Sequence, residues 1–197
     1  MAKRLFDIIF SFLGLILVLP LLLLLAVLIK RESPGPVFYR GVRIGKGGRL
    51  FRIFKFRSMV ENAEELGGPS TAGDDPRLTK IGKFLKKYQL DELPQLINVL
   101  RGEMSLVGPR PEIKMYVEMM TNEERNVILP IKPGMTDLAS LWNFHESEVL
   151  KGSPDPEKTY QEKIRPQKIK LQLEYVKNRS FLLDLKIIIK TVLKIFQ

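Results

Sequence analysis

The chain has 197 residues, 45% of them hydrophobic, and a formal net charge of +10. It has no cysteine and one histidine, His145. That excludes disulfides, thiolate nucleophiles, cysteine-held zinc and any metal centre built on two histidines. A basic balance of this kind fits nucleic acid, an anionic membrane surface or a phosphorylated substrate. No DNA- or RNA-binding motif accompanies it, so no nucleic acid partner is expected.

From Ile8 to Ile29 the sequence reads IIFSFLGLILVLPLLLLLAVLI, without a charge. About 20 apolar residues cross a bilayer, so hydropathy alone predicts a transmembrane helix kinked at Pro20. The flanks point elsewhere. Lys3 and Arg4 precede the run, and Lys30 and Arg31 follow it. Positive charge marks the cytoplasmic side, so this pattern puts both ends on one face. Pro20 removes a backbone donor and clashes with the preceding turn. The pattern predicts a re-entrant anchor over residues 1–32: helix, break at Pro20, helix. The run is too long for a cleaved signal peptide, and no small-residue cleavage pattern follows it.

Ser33-Pro34-Gly35-Pro36 stops the helix and opens a compact domain expected over residues 33–180. Residues 37–57 read as a small β-hairpin: Val42 and Ile44 flank Arg43, Phe51 and Ile53 flank Arg52, and Gly45-Lys46-Gly47-Gly48 supplies the turn. The alternation slips between Ile53 and Phe54, which marks a bulge or strand end. Lys55 and Arg57 then share one side. Residues 61–76, with Gly67, Gly68, Pro69, Gly73 and Pro76, are a loop. Leu78, Ile81, Leu85 and Tyr88 form one helical stripe. Leu93, Leu96, Ile97 and Leu100 form a second, closed by Gly102. Gly108-Pro109-Arg110-Pro111 is stiff and extended, residues 112–127 read as helix, and Pro130 to Gly134 is a break. Over residues 181–197, Lys186, Lys190 and Lys194 share one face of an apolar helix. That helix suits the membrane interface, or a core with a solvated lysine edge, and the N-terminal apolar run favours the interface. The expected fold class is α+β, predominantly α, with interfacial helices around a compact catalytic domain.

The sharpest polar feature is Leu90-Asp91-Glu92-Leu93-Pro94-Gln95. Asp91 stands where a helix should begin, with Pro94 in its first turn. An acid there serves as a cap and a partner of the helix dipole. Held ionised, it also suits a nucleophile or a metal ligand. Neighbouring positions do not face each other, so Asp91 and Glu92 are not expected to share a proton. The surrounding basic residues Lys55, Arg57, Arg77, Lys86 and Arg110 are the candidate substrate and phosphate contacts. Arg110, stiffened by two prolines, suits a phosphate clamp or an ordinary surface position. Gly41 to Lys46 is not a P-loop, because three residues rather than four lie between its glycines and Gly47 follows the lysine where Ser or Thr should stand. His145 and Trp142 read as core or rim residues.

Six motifs stand in order: Lys3-Arg4-Leu5-Phe6-Asp7, Ser33-Pro34-Gly35-Pro36-Val37-Phe38-Tyr39-Arg40, Lys55-Phe56-Arg57-Ser58-Met59, Asp75-Pro76-Arg77-Leu78-Thr79, Leu90-Asp91-Glu92-Leu93-Pro94-Gln95-Leu96, and Met104-Ser105-Leu106-Val107-Gly108-Pro109-Arg110-Pro111. Together they closely resemble the bacterial sugar transferases, the monotopic phosphoglycosyl transferases, in their small form. The resemblance implies transfer of a phosphosugar from a UDP-sugar to polyprenyl (undecaprenyl) phosphate, with release of UMP. It places that step first among the membrane steps of bacterial polysaccharide or glycoprotein synthesis. It implies that Asp91 forms an aspartyl-phosphosugar intermediate, that Glu92 is its partner, that Mg2+ sits near Asp91 and that Arg110 binds phosphate. It also implies a re-entrant helix broken at Pro20 in the inner membrane, with catalysis on the cytoplasmic face. Three positions depart from the family pattern: Lys86 where relatives often have Arg, Leu19 where many have Ser, and Asp137 where Gly is usual. A docking module without chemistry and a glycosyltransferase releasing UDP are the competing classes. Neither the sugar, the glycan pathway nor the oligomeric state is specified by the sequence.

Overall fold

The computed structural model describes residues 2–195. Helix α1 (Ala2–Glu32) is long and apolar enough to cross a membrane. The expected break is absent from its helical structure, since α1 runs continuously with Pro20 inside. A proline deletes one donor, and its neighbours keep the ladder going. One stripe of α1 is covered by the rest of the chain: Asp7, Ser11, Leu25 and Ile29 are buried, and Gly14 approaches Leu96 between them. The opposite face is bare, with Leu17 81% exposed.

Both ends of α1 are fastened to the same domain. Arg4 donates to the carbonyls of Val99 and Leu100. Asp7 accepts from Ser105 Oγ and the Leu106 amide, each at 3.1 Å. Lys3 pairs with Asp184. At the other end Leu25 and Ile29 pack with Phe56 and Leu85. Glu32 accepts from the amides of Lys80 and Ile81, the free donors at the start of α2 (Lys80–Lys87).

The predicted hairpin is β2 (Val42–Ile44) paired with β3 (Leu50–Arg52). Outside it, β1 (Phe38–Tyr39) pairs with β4 (Lys55–Phe56). The slip at Ile53 and Phe54 is the gap between β3 and β4. The gap is filled by Asn98 of α3 (Gln95–Arg101), whose Oδ1 accepts from Phe54 N and whose Nδ2 donates to Arg52 O. Gly102, in the left-handed region at φ 81, closes α3 as expected.

Strand β5 (Ser105–Val107) runs parallel to β6 (Gly134–Thr136). Just beyond β5 the chains almost touch: a Cβ on Gly134 would lie 2.0 Å from Gly108 N. Only glycine fits there, and the contact fixes where the Pro109-Arg110-Pro111 segment leaves the sheet. The helix expected over 112–127 is two, α4 (Lys114–Glu118) and α5 (Asn122–Ile128). A capping box of Thr121 and Glu124 starts the second of them. After β6 come the short helices α6 (Leu138–Trp142), α7 (Glu146–Val149) and α8 (Pro156–Thr159). A π turn, Tyr160–Ile164, leads into α9 (Arg165–Asn178). Helix α10 (Phe181–Ile195) buries Asp184 and Ile187 and exposes Leu182, Leu185, Ile189, Val192 and Leu193. Met1, and Phe196 and Gln197 at the end of the expected terminal helix, lie outside the described residues.

Candidate active site

Asp91 lies in a 3-10 turn, Leu90–Glu92, between α2 and α3. The chain enters this turn through Gln89 at φ 54, a conformation that costs a non-glycine residue about 1 kcal/mol or more. The Gln89 side chain holds it there by donating to the Phe144 carbonyl. Asp91 is not the cap the sequence suggested. Helix α3 starts later, at Gln95, with Pro94 before it and no side-chain cap. The Asp91 carboxylate is 2% exposed, and its nearest cation is Lys86 Nζ at 3.6 Å.

Glu92 faces a different way, as expected for an adjacent position. Lys55 Nζ donates to its Oε1 at 2.8 Å. Arg110 Nη1 donates to its Oε2 at 3.0 Å, and Nη2 to Oε1. Burial alone would raise the Glu92 carboxyl, but the Arg110 and Lys55 charges hold it well below the usual range. Burial pushes the Lys55 ammonium down to about 8, against the pull of Glu92 and with Arg110 adding to the drop. Burial also disfavours the Arg110 charge, and Glu92 more than offsets it, so Arg110 stays cationic.

Four of the sequence-predicted residues therefore gather around Asp91: Lys55, Lys86, Glu92 and Arg110. Two basic candidates do not. Arg57 donates to Ser33 O, Ser33 Oγ and Pro34 O, tying down the exit from α1. Arg77 pairs with Asp75 and donates to the carbonyls of Ala63, Gly68 and Ser70, folding the 61–76 loop around itself. Both guanidiniums are engaged in shaping walls. Trp142 is 47% exposed and so not a core residue, and His145 meets Phe144 edge-on. Asp137, fully buried, caps α6 by accepting from Ser140 N at 2.7 Å.

The sequence reading missed a second charged cluster behind Arg110. Lys168 of α9 is buried against Glu112, Glu146 and Tyr160. The available signal was Glu112, a carboxylate two residues beyond Arg110 in the same stiff segment.

Among the described residues, no group of three or more acidic or histidine side chains is placed to cage a metal. Mg2+ needs less, because it keeps several waters and uses one or two carboxylates together with substrate phosphates. Asp91, with only a long ammonium contact, fits that mode. Glu92, with both oxygens engaged, does not.

Comparison with known proteins gives one consistent result. The chain is 40% identical over 195 residues to the UDP-N-acetylgalactosamine-undecaprenyl-phosphate N-acetylgalactosaminephosphotransferase of Aeromonas hydrophila, covering 96% of this chain and 42% of that one. It is 42% identical over 199 residues to the UDP-glucose:undecaprenyl-phosphate glucose-1-phosphate transferase of Klebsiella pneumoniae, covering 98% and 40%. It is also 39% identical over 203 residues to the exopolysaccharide production protein PSS of Rhizobium leguminosarum bv. phaseoli, covering 96% and 92%. The chain thus spans about two fifths of the first two relatives and nearly all of the third. The profile of the bacterial sugar transferases matches residues 1–197, and the chain belongs to that family.

Proposed function

We propose that this chain transfers a phosphosugar from a UDP-sugar to polyprenyl phosphate, releasing UMP, at the cytoplasmic face of the bacterial inner membrane. This is the first membrane step of a glycoconjugate. The observation that carries the reading is the buried Asp91 carboxylate beside Lys86 and the Lys55–Glu92–Arg110 cluster. An Asp91 oxygen attacks the β-phosphorus of the donor. The bond from that phosphorus to the bridging oxygen breaks, and UMP leaves with the electron pair. An oxygen of polyprenyl phosphate then attacks the phosphorus held on Asp91. The bond to Asp91 breaks, the carboxylate returns, and the product is a polyprenyl diphosphosugar.

Each attack brings an anion onto an anion, so catalysis is mainly positioning and charge neutralisation. Lys55, Lys86 and Arg110 supply fixed positive charge for the phosphoryl oxygens. Glu92 holds Lys55 and Arg110 at a common point between β4 and the Pro109-Arg110-Pro111 segment. Bound at Asp91 and the donor phosphates, Mg2+ would add further charge neutralisation.

The fastening of α1 supports the re-entrant reading. About 33 Å of helix separates Asp7 from Ile29, and both residues are buried against one domain. A helix that crosses the bilayer carries one end away from that domain. The bare face of α1 and the exposed apolar residues of α10 adjoin through the Phe6 and Phe181 rings, 5.1 Å apart. That surface suits acyl chains, and it brings a lipid acceptor to the same domain as a soluble donor.

The test is nucleotide release from a panel of UDP-sugars with undecaprenyl phosphate and Mg2+. The panel begins with UDP-N-acetylgalactosamine and UDP-glucose, the donors in the relatives' names. UMP is the expected product, and D91N should lower its release by about a thousandfold or more while leaving membrane binding intact. UDP as product would overturn the reaction, and substantial turnover by D91N would remove Asp91 as nucleophile.

A further inference from the structure

The second charged cluster has no part in the transfer chemistry, yet it brackets Arg110. The Lys168 ammonium donates to Tyr160 Oη at 3.0 Å and lies 3.7 Å from Glu112 and 3.6 Å from Glu146. It is the only cation that pairs with either carboxylate among the described residues. Glu112 follows Arg110 by two residues in the stiff segment, and its carbonyl accepts from Ile44 N of the hairpin. Glu146 opens α7, and its charge acts on Arg110, as does that of Asp137. The Arg110 guanidinium therefore has acid neighbours on several sides, while its hydrogen bonds go to Glu92 alone.

Charge balance explains the choice. With Lys168 in place, Glu112 and Glu146 share a buried ammonium and exert little net pull. Without it the largely covered Glu112 loses its cation and the more open Glu146 keeps its full pull on Arg110, and an under-compensated carboxylate recruits the nearest opposite charge. Tyr160 keeps the ammonium in place from the π turn, through its hydroxyl and through its ring, 5.0 Å from Nζ. Such turns often occur where a helix serves a site.

We propose that Lys168 is a positioning residue: by neutralising Glu112 and Glu146 it keeps Arg110 on Glu92, aimed at the diphosphate of the bound nucleotide. The inference rests on the transfer reading for the identity of that ligand. It differs from a plain structural role in one respect, since the damage done by removing Lys168 should be repaired by removing the competing carboxylate.

The experiment is calorimetric binding of UDP to the purified full chain, alongside kcat and KM for the UDP-sugar. In K168M the UDP Kd and the donor KM should each rise about tenfold, with kcat changed less. K168R, which keeps the charge, should recover most of the loss. K168M/E146Q should bind UDP about threefold or more tighter than K168M, the signature of coupled residues. UDP binding by K168M as tight as that of the parent would overturn the proposal, and so would a double variant no better than K168M. If K168M does not fold, E112Q/E146Q/K168M carries the test without buried unpaired charge. Binding within about threefold of the parent is then expected, and a full tenfold loss would overturn the proposal. A parent chain that binds UDP but releases no UMP would remove the transfer reading and leave this one standing.

Discussion

Two adjacent acids, Asp91 and Glu92, have opposite electrostatic settings. Glu92 is saturated by two cations and serves as their anchor, whereas Asp91 keeps free lone pairs beside a single lysine 3.6 Å away. That division fits one nucleophile and one organiser. It also makes Lys55 the pH-sensitive member. Lys55 faces Glu92 and Asp91 from the 3-10 turn, Arg110 from the stiff segment and Lys86 from α2. Burial has lowered its ammonium from 10.5 to about 8. Above that pH it loses its proton, and with it the pair to Glu92 and the charge that the proposed transfer assigns to the donor phosphates. We expect kcat/KM for the donor to fall along an alkaline limb centred near pH 8. Stability runs the other way for this group. The folded state holds the proton less tightly than the unfolded chain, so its contribution to stability rises between about pH 8 and 10.5. The fall in rate is therefore not unfolding, and melting curves over the same range check that. K55R keeps its charge at every accessible pH, and a limb that stays in place in K55R would sink the assignment to Lys55.

At the scale of elements, legibility followed the kind of face each element buries. Helix α2 covers Ile81 and Leu85, and α3 covers Leu96 and Val99, each pair at helical spacing, and apolar residues at that spacing were readable. Helix α9 buries Lys168 and Gln172 alongside Ile169 and Tyr175, and those polar positions interrupt its apolar face, so the sequence reading left it unmarked. The site shows the same limit. Asp91, Glu92, Lys55, Lys86 and Arg110 were legible as charge clustered around a helix start. The assignment of Arg57 and Arg77 to loop carbonyls was not, because a guanidinium that folds a loop and one that binds phosphate look alike in sequence. Asp7 is a charge with a structural task that the apolar run alone does not predict. It accepts from Leu106 N and Ser105 Oγ, and so ties α1 to the strand that carries Arg110's segment. D7A leaves those two donors without their acceptor and should cost about 1–3 kcal/mol. A melting temperature lowered by several degrees in lipid nanodiscs is the expected reading, and an unchanged one would show that the latch contributes nothing.

For the whole molecule, the question is which side of the membrane each end of α1 occupies. A helix of 31 residues is about 46 Å long, ample for a bilayer, and hydropathy alone predicts a span. Packing argues against it. The covered stripe runs from Asp7 to Ile29 without changing sides, and Glu32 and Arg4 both bond to backbone of the same domain. Pulling either end through a bilayer would sacrifice the Asp7 pair or the Glu32 cap of α2, each a buried or terminal polar contact with no replacement in hydrocarbon. The continuous helix with Pro20 inside can still bend there, since a proline weakens the ladder on one side. Because the chain has no native cysteine, topology is directly measurable. A2C and R31C place a thiol at each exposed end of α1, and L17C places one on its bare face. Membrane-impermeant maleimide should label both ends from the cytoplasmic side only and leave position 17 unlabelled from either side. Labelling of residues 2 and 31 from opposite sides would restore a simple span, and α1 would then have to release one of its two fastenings in the membrane.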